Sequence, residues 1–489
     1  MTPHNRVSLD PANWEDFRAS AHTMLDDMID NMRTVRDRPV WQPMPDEIRA
    51  EFTSPMPESG SELNAVYDEF TRTILTYPLG NTHPRFWAWV IGSGVPVGVL
   101  AELLASTMNP NAGGGDHSAN EVEKQVINWS KQMFGFPEDA SGLLVSGGSM
   151  ANFVGLAVAR HNKAPYDVRA EGVQGQAVKM IFYASEQLHS SVTKALQLLG
   201  IGKAGLRLIP TNDQFEIDVD ALEAQIHADK TAGQLPVCVV GSLGTVNTGA
   251  VDDLQALRDL TLKHDMWLHI DGAFGAMAVL APQFEQLRTV VGQADSLAFD
   301  FHKWLYIPYE AGCALVRNHE EHIATFAENP AYLAHQPRGA ASGQDWFTDY
   351  GLQLSRGFKA LKIWFALKVH GMEDFRQSIQ QNMDHAAYLA EIVSAHPDLE
   401  LVAPVPMNIV CFRYVVAKLT DSELDALNKE ILFRIQEAGI AVPSYTTINE
   451  RFAIRCAITN HRSTFEDFAL LVETVLQFGQ TILAENVAG

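Results

Sequence analysis

Two stretches decide the fold: Trp267-Leu-His-Ile-Asp-Gly-Ala-Phe-Gly275 and Ser296-Leu-Ala-Phe-Asp-Phe-His-Lys-Trp-Leu305. Each reads as an apolar strand running out into an ionisable group, Asp271 in the first and Lys303 in the second. A lysine ending an apolar strand has little structural use, because burying an ammonium is costly and desolvation favours its neutral form. A neutral lysine is what covalent chemistry on a carbonyl requires. A carboxylate ending the preceding strand supplies a partner for a protonated pyridinium nitrogen. Together they read as the two ends of a holder for pyridoxal 5′-phosphate, PLP. Asp271 would serve equally well locally as a helix N-cap before Gly272. Its position one helix and one strand ahead of Lys303 favours the pair.

Outward from these stretches, helical and strand signals alternate from about Ala101 to Val316. Apolar runs at 142–146, 179–184, 236–241, 266–270 and 313–316 are separated by amphipathic stretches such as Leu254 to His264. This predicts an α/β region with a mostly parallel, doubly wound sheet. Ligands in such sheets bind at the carboxyl ends of the strands, where Ser146, Asp271 and Lys303 all fall. Upstream, Phe17, Met24, Leu25 and Met28 show helical spacing over 14–32. Pro39, Pro43 and Pro45 then lead to a second helix over 61–75. These helices form either an arm that packs on something else or a layer on their own domain. Downstream, 325–351 is loop-like, and short strands at 406–414 and 452–457 alternate with helices in a smaller α+β domain. The expected division is 1–85 for a helical N-terminal arm, 86–370 for the large domain and 371–489 for the small one.

A chain of 489 residues exceeds one ordinary core. With a net charge of −23 and no basic patch, it offers nothing to neutralise phosphates, so nucleic acid is not an expected partner. Cys238, Cys313, Cys411 and Cys456 lie too far apart for a disulfide framework or a zinc knuckle, which fits a reducing compartment. The first fifteen residues lack an apolar signal core. Gly92, Gly94, Pro96 and Gly98 interrupt the uncharged run from Phe86 to Ala101, which is short of a membrane span. A cytoplasmic protein without a membrane partner is expected. Asp116-His117 and His264/His269 show no third ligand, so no metal is assigned.

His302-Lys303-Trp304, with Ser296 seven residues before the lysine, resembles the signature of group II PLP-dependent amino-acid decarboxylases of fold type I. That family includes the aromatic-L-amino-acid, glutamate and histidine decarboxylases, and the resemblance runs from about Trp14 to about Gly479. It implies that Lys303 carries PLP and that Asp271 faces the pyridine nitrogen. Gly148 and Ser149, in Ser146-Gly-Gly-Ser149, would hold the phosphate; glycines and a helix N-terminus suit an anion. A plain helix cap explains the same four residues. By the same resemblance His189 stacks on the ring, where a lone histidine would otherwise read as a cap or core residue; Thr245, Asp300 and His302 complete the cofactor set, and Trp89 is either a wall of the substrate pocket or a core aromatic. Tyr332, on a closing loop, would donate a proton to Cα. Relatives that release aldehydes carry phenylalanine there, so a tyrosine implies amine release. The N-terminal arm is expected to wrap the partner subunit of a homodimer.

The chain departs from the family pattern at several places. Val246 follows Gly244-Thr245 where many members have a second threonine, and Asp300 stands where animal enzymes carry asparagine. The stretch Asn109-Pro-Asn-Ala-Gly-Gly-Gly-Asp116 is glycine-rich where aromatic-specific relatives place bulky apolar residues. Ser355 matches a serine of phenol-preferring plant enzymes. The expected activity is α-decarboxylation of an aromatic L-amino acid to carbon dioxide and the amine. Three rivals stand beside it. One is a glutamate-type decarboxylase, with Arg85, Arg356 or Arg455 clamping a second carboxylate. The others are an aminotransferase or aldehyde-forming enzyme on the same scaffold, and an inert homologue acting through its dimer surface.

Overall fold

The computed structural model describes residues 8–328, 336–343 and 346–488; Tyr332 lies outside them. The first strand, β1 (Phe86–Trp87), joins a sheet built otherwise by the C-terminal region. Seven strands then form the main sheet: β2 (Ser141–Val145), β3 (Met180–Ser185), β4 (Leu206–Ile209), β5 (Leu235–Ser242), β6 (Trp267–Asp271), β7 (Ser296–Asp300) and β8 (Gly312–Val316). Their order is β2-β8-β7-β6-β5-β3-β4. The pairs from β4 to β7 are parallel, and β8 runs antiparallel to both β7 and β2. Every residue of β2, β3, β6, β7 and β8 is buried. Such burial on both faces is why these strands read as unbroken apolar runs. The edge strand β4, with Arg207 in it and only Ile209 buried, gave no such run.

The carboxyl edge of this sheet is held together from below. From Ser296 to Ile307 every residue is buried except Lys303. Phe299 packs 4.7 Å from Phe134 and 5.0 Å from Phe301, ring centre to ring centre. Trp304 Nε1 (3.1 Å) and the Tyr306 hydroxyl (2.7 Å) both donate to Asn382 Oδ1, pinning the lysine turn to the helix Ala360–Ser394. That helix breaks at Gly371, where φ is +68°, a conformation that favours glycine. The helix Gly148–Lys163 lies so close to the sheet that a Cβ on Gly155 would meet the His269 ring at 2.6 Å.

The second sheet contains β9 (Leu399–Leu401), β10 (Ile409–Tyr414), β11 (Val442–Ile448) and β12 (Arg451–Ala457), in the order β1-β11-β12-β10-β9. It is antiparallel except for β1, which runs parallel to β11. A boundary at residue 86 therefore needs correction: Phe86 and Trp87 pair with Val442 and Pro443, and Trp87 stacks on Phe468 at 4.6 Å. The N-terminal helices are Trp14–Arg33, capped by the Asn13 side chain, and Leu63–Glu69, which continues as a wider π-helical turn to Leu75. No residue of the first is buried, and Trp14, Phe17, Ile29, Val66 and Ile74 stand exposed. No helix among the described residues is long and apolar enough to cross a membrane.

Candidate active site

Asp271 ends β6 at the carboxyl edge of the sheet and is buried. Its Oδ2 accepts from Asn152 Nδ2 (3.0 Å) and its Oδ1 from the Ala273 N–H (3.2 Å). Behind it runs a buried chain of hydrogen bonds in one direction. Trp267 Nε1 donates to Ser296 Oγ (2.8 Å), which donates to His269 Nδ1 (2.8 Å), and His269 Nε2 donates to Asn152 Oδ1 (2.9 Å). Complete burial pushes His269 down to about 4, against the opposing charge of Asp271, so the ring is neutral and the chain has a single consistent polarity. Asn152 Nδ2 also donates to Ser191 Oγ (3.0 Å), and that hydroxyl donates to His189 Nδ1 (2.7 Å). One asparagine thus orients both the carboxylate and the imidazole.

His189 caps the helix Ser190–Leu198 through the same Nδ1, which leaves its Nε2–H for the open side. Its proton affinity is lowered, first by burial and then by the positive charges of Lys303 and Lys194, with Asp271 and Asp300 opposing. Hydrogen bonds through Asn152 and Ser191 join His189 to Asp271, and Lys303 pairs with Asp300. Lys303 Nζ lies 3.1 Å from Asp300 Oδ2, with its side chain 22% exposed against 1% for the aspartate. His302 accepts the Ala311 N–H at Nδ1 (3.1 Å) and turns Nε2 toward Asp300 Oδ2, 3.8 Å away. Burial is the main cause that lowers the His302 proton affinity, against Asp300.

Above these groups β2 runs through Ser146 into the turn Gly147-Gly148 and the helix that follows. A Cβ on Gly148 would meet Asp300 Oδ2 and the Ala273 Cβ, each at 3.0 Å. A Cβ on Gly147 would stand 3.4 Å from His302 Cε1. The turn therefore forms a bare backbone cradle directly over Asp300 and His302, with Ser149 exposed beside it. PLP fits these residues: an anion cradle at a helix N-terminus, an accessible lysine and a braced aspartate.

The other expected residues are placed less directly. Thr245 is buried, its hydroxyl 3.1 Å from that of Thr248 and accepting the Ala250 N–H at 3.1 Å, so it braces its own turn. Trp89 is 54% exposed in the single chain. Its carbonyl is tied by Arg455 to the loop carrying Val246 and Asn247. Gly114 in the glycine-rich stretch is covered by Trp346, whose ring a Cβ there would meet at 2.3 Å.

Sequence reasoning missed Asn152 and Ser191. The available signal was an amide within the uncharged first three turns of a helix, which must find partners when buried. The reading of His264 as lacking further ligands also needs correction, since Glu223, His227 and His264 bring ligand atoms within 4.8 Å of one another. Lys263 Nζ stands 2.5 Å from Glu223 Oε1 and Lys230 Nζ 3.0 Å from His264 Nδ1, so two lysines already supply positive charge there.

A family model described as the pyridoxal-dependent decarboxylase conserved domain matches residues 45–415. The chain belongs to that family and is a PLP-dependent carbon–carbon lyase. Within the family it is similar to an aromatic-L-amino-acid decarboxylase of Bacillus atrophaeus, 36% identical over 476 residues and 96% of each chain. It is 27% identical to a phenylacetaldehyde synthase of Arabidopsis thaliana, over 92% of this chain and 93% of that one. A crystal structure of Oryza sativa TDC with PLP and tryptamine superposes with a TM-score of 0.89 at 25% identity, covering 97% of this chain and 100% of that one.

Proposed function

We propose that this enzyme decarboxylates aromatic L-amino acids and releases the corresponding amines. The observation that supports the reading is Lys303 Nζ held 3.1 Å from Asp300 Oδ2 under the Gly147-Gly148 cradle, together with Asp271 and His189 linked through Asn152 and Ser191. Bound PLP supplies a conjugated ring that accepts the electron pair left as carbon dioxide departs. Lys303 would hold the cofactor through its Nζ, the nucleophilic amine of the site. Asp271, braced by Asn152, keeps a proton on the ring nitrogen. His189, with Nδ1 engaged by Ser191, would offer its Nε2–H to the cofactor ring or the substrate. Gly148 and Ser149 take the phosphate, with His302 and Asp300 below and Thr245 bracing the neighbouring turn. Tyr332 would give a proton to Cα. Trp89 contributes to the substrate wall.

The arginines bear on the substrate. Arg356 is spent on Glu123 and on the carbonyls of Ala112 and Leu144, each at 2.7 Å. Arg455 is spent on the carbonyls of Trp89, Val246 and Asn247, and Arg85 on that of Ile440 (2.7 Å). Arg356 and Arg455 are thus not left to clamp a second carboxylate, and Arg85 turns Nη1 toward Asp467, 3.9 Å away, which supports an aromatic over an acidic side chain. The relatives named for aromatic substrates support the same choice. Amine release rests on Tyr332. The test is a turnover screen over tyrosine, tryptophan, phenylalanine, dopa and glutamate with product analysis. Aromatic substrates are expected to give amine, and Tyr332→Phe to slow amine formation roughly 10²–10⁴-fold. Glutamate as the preferred substrate, or aldehyde from the unaltered enzyme, would overturn the reading.

We assign the exposed apolar side chains of the N-terminal helices to contact with a second copy of the chain, forming a homodimer. The helix Pro96–Met108 adds to this surface with Leu100, Leu103, Leu104 and Met108, all exposed.

A further inference from the structure

Asp300 runs against the logic of an anion site. It is 1% exposed, its Oδ1 has no hydrogen-bond partner among the described residues, and its carboxylate lies immediately under the Gly147-Gly148 cradle. A phosphate seated on that helix N-terminus therefore meets a carboxylate already there. The groups facing Asp300 do little to offset two anions. His302 turns Nε2 toward it but is held neutral by burial. His189, Tyr309 and Cys313, from three other segments, also feel its charge. His189 is lowered, and Tyr309 and Cys313 are raised, so at neutral pH none of the three carries a positive charge. Among the described residues, the cation within hydrogen-bonding distance is Lys303, and its amine is committed to the cofactor's aldehyde. Two anionic oxygens forced together in a buried site are relieved by sharing one proton.

We propose that the enzyme takes up PLP together with one additional proton, held between the phosphate and the Asp300 carboxyl. Cofactor affinity then falls as pH rises. This rests on the reading that the phosphate lies at Gly148 and Ser149. A proton shared with the phosphate would give the buried Oδ1 a hydrogen-bond partner. Free PLP above neutrality carries a fully ionised phosphate, so the shared proton comes from solvent. One proton bound per cofactor means about a tenfold loss of affinity per pH unit. Asp300→Asn replaces the shared proton with a permanent N–H donor. That variant should bind PLP more tightly than the unaltered enzyme at alkaline pH and lack this part of the slope.

The experiment titrates PLP, and in parallel unphosphorylated pyridoxal, calorimetrically into the full-length chain stripped of cofactor. Buffers of different ionisation heat give the proton count. The unaltered chain should take up about one more proton with PLP than D300N does, and the ratio of their Kd values should change about tenfold per pH unit. Pyridoxal should show neither difference. Equal proton counts for the two proteins overturn the proposal. Ser149→Glu separates this from failure of the underlying placement: it should abolish PLP binding and leave pyridoxal binding intact. If S149E binds PLP normally, the phosphate lies elsewhere and both readings fall. If it loses PLP while the proton counts agree, the shared proton alone falls. Asp300→Ser serves the same comparison should D300N fail to fold, judged by near-ultraviolet circular dichroism.

Discussion

At the scale of single residues, Asn152 matters more than its chemistry suggests. It neither ionises nor reacts, yet it fixes Asp271 directly and His189 through Ser191. Deleting a hydrogen bond to a charged group removes about 1.5–3 kcal/mol, or roughly ten- to hundredfold in rate if felt in the transition state. Asn152→Ala is therefore expected to lower kcat by that factor with KM little changed, and also to lower the melting temperature, because it strands the buried His269 Nε2–H. A rise in KM alone would show that Asn152 only shapes the pocket. Lys303 and Asp271 were legible in the sequence because each puts a charge where an apolar strand stops. Asn152 was not, because an amide on a buried helix declares no partner until the strands beneath it are placed. Asp300 was visible as a departure, but the orphaned oxygen that gives it meaning is a matter of geometry.

At the scale of elements, the buried strands were readable since continuous apolar runs are what a two-sided sheet demands. The edge strand Leu206–Ile209 and the parallel pairing of Phe86–Trp87 with Val442–Pro443 were not. Both are short, and their partners lie far away in sequence or carry no periodic signal. One buried ion pair locks several of these elements. Arg356 and Glu123 have side chains only 2% and 1% exposed, and Arg356 also reaches the carbonyls of Ala112 and of Leu144 in β2, the strand that delivers the phosphate cradle. Removing one partner of such a pair strands the other charge, at a cost of about 3–5 kcal/mol. Arg356→Met should lower the denaturant midpoint accordingly, and adding Glu123→Met should recover much of the loss. If the double variant is no better than the single one, Arg356 acts through its carbonyl contacts instead.

At the scale of the whole molecule, the single chain leaves an unusual amount of large apolar side chain in the open. Trp14, Phe17, Trp89, Leu103 and Met108 are each more than 40% exposed. Scattered apolar residues are ordinary on a surface, but helical segments with none of their residues buried have no reason to fold where they do without something to cover them. The chain is expected to sediment as a dimer at micromolar concentration, and removing residues 1–60 to shift it toward monomer. A monomer in the full-length protein would refute the assignment of that surface. The amphipathic spacing of 14–32 announced a helix from the sequence alone; which body it covers was never written in the period.

The two hydrogen bonds that Asn382 accepts from Trp304 and Tyr306 carry a consequence for motion. Asn382 also donates to the carbonyl of Asn460, just beyond β12, at 3.0 Å. Lysine turn, long helix and C-terminal sheet are thereby bolted at a single amide. Any swing of the smaller sheet about the glycine break at 371 must carry the reactive amine with it or shear that joint. The hinge and the chemistry cannot be tuned separately.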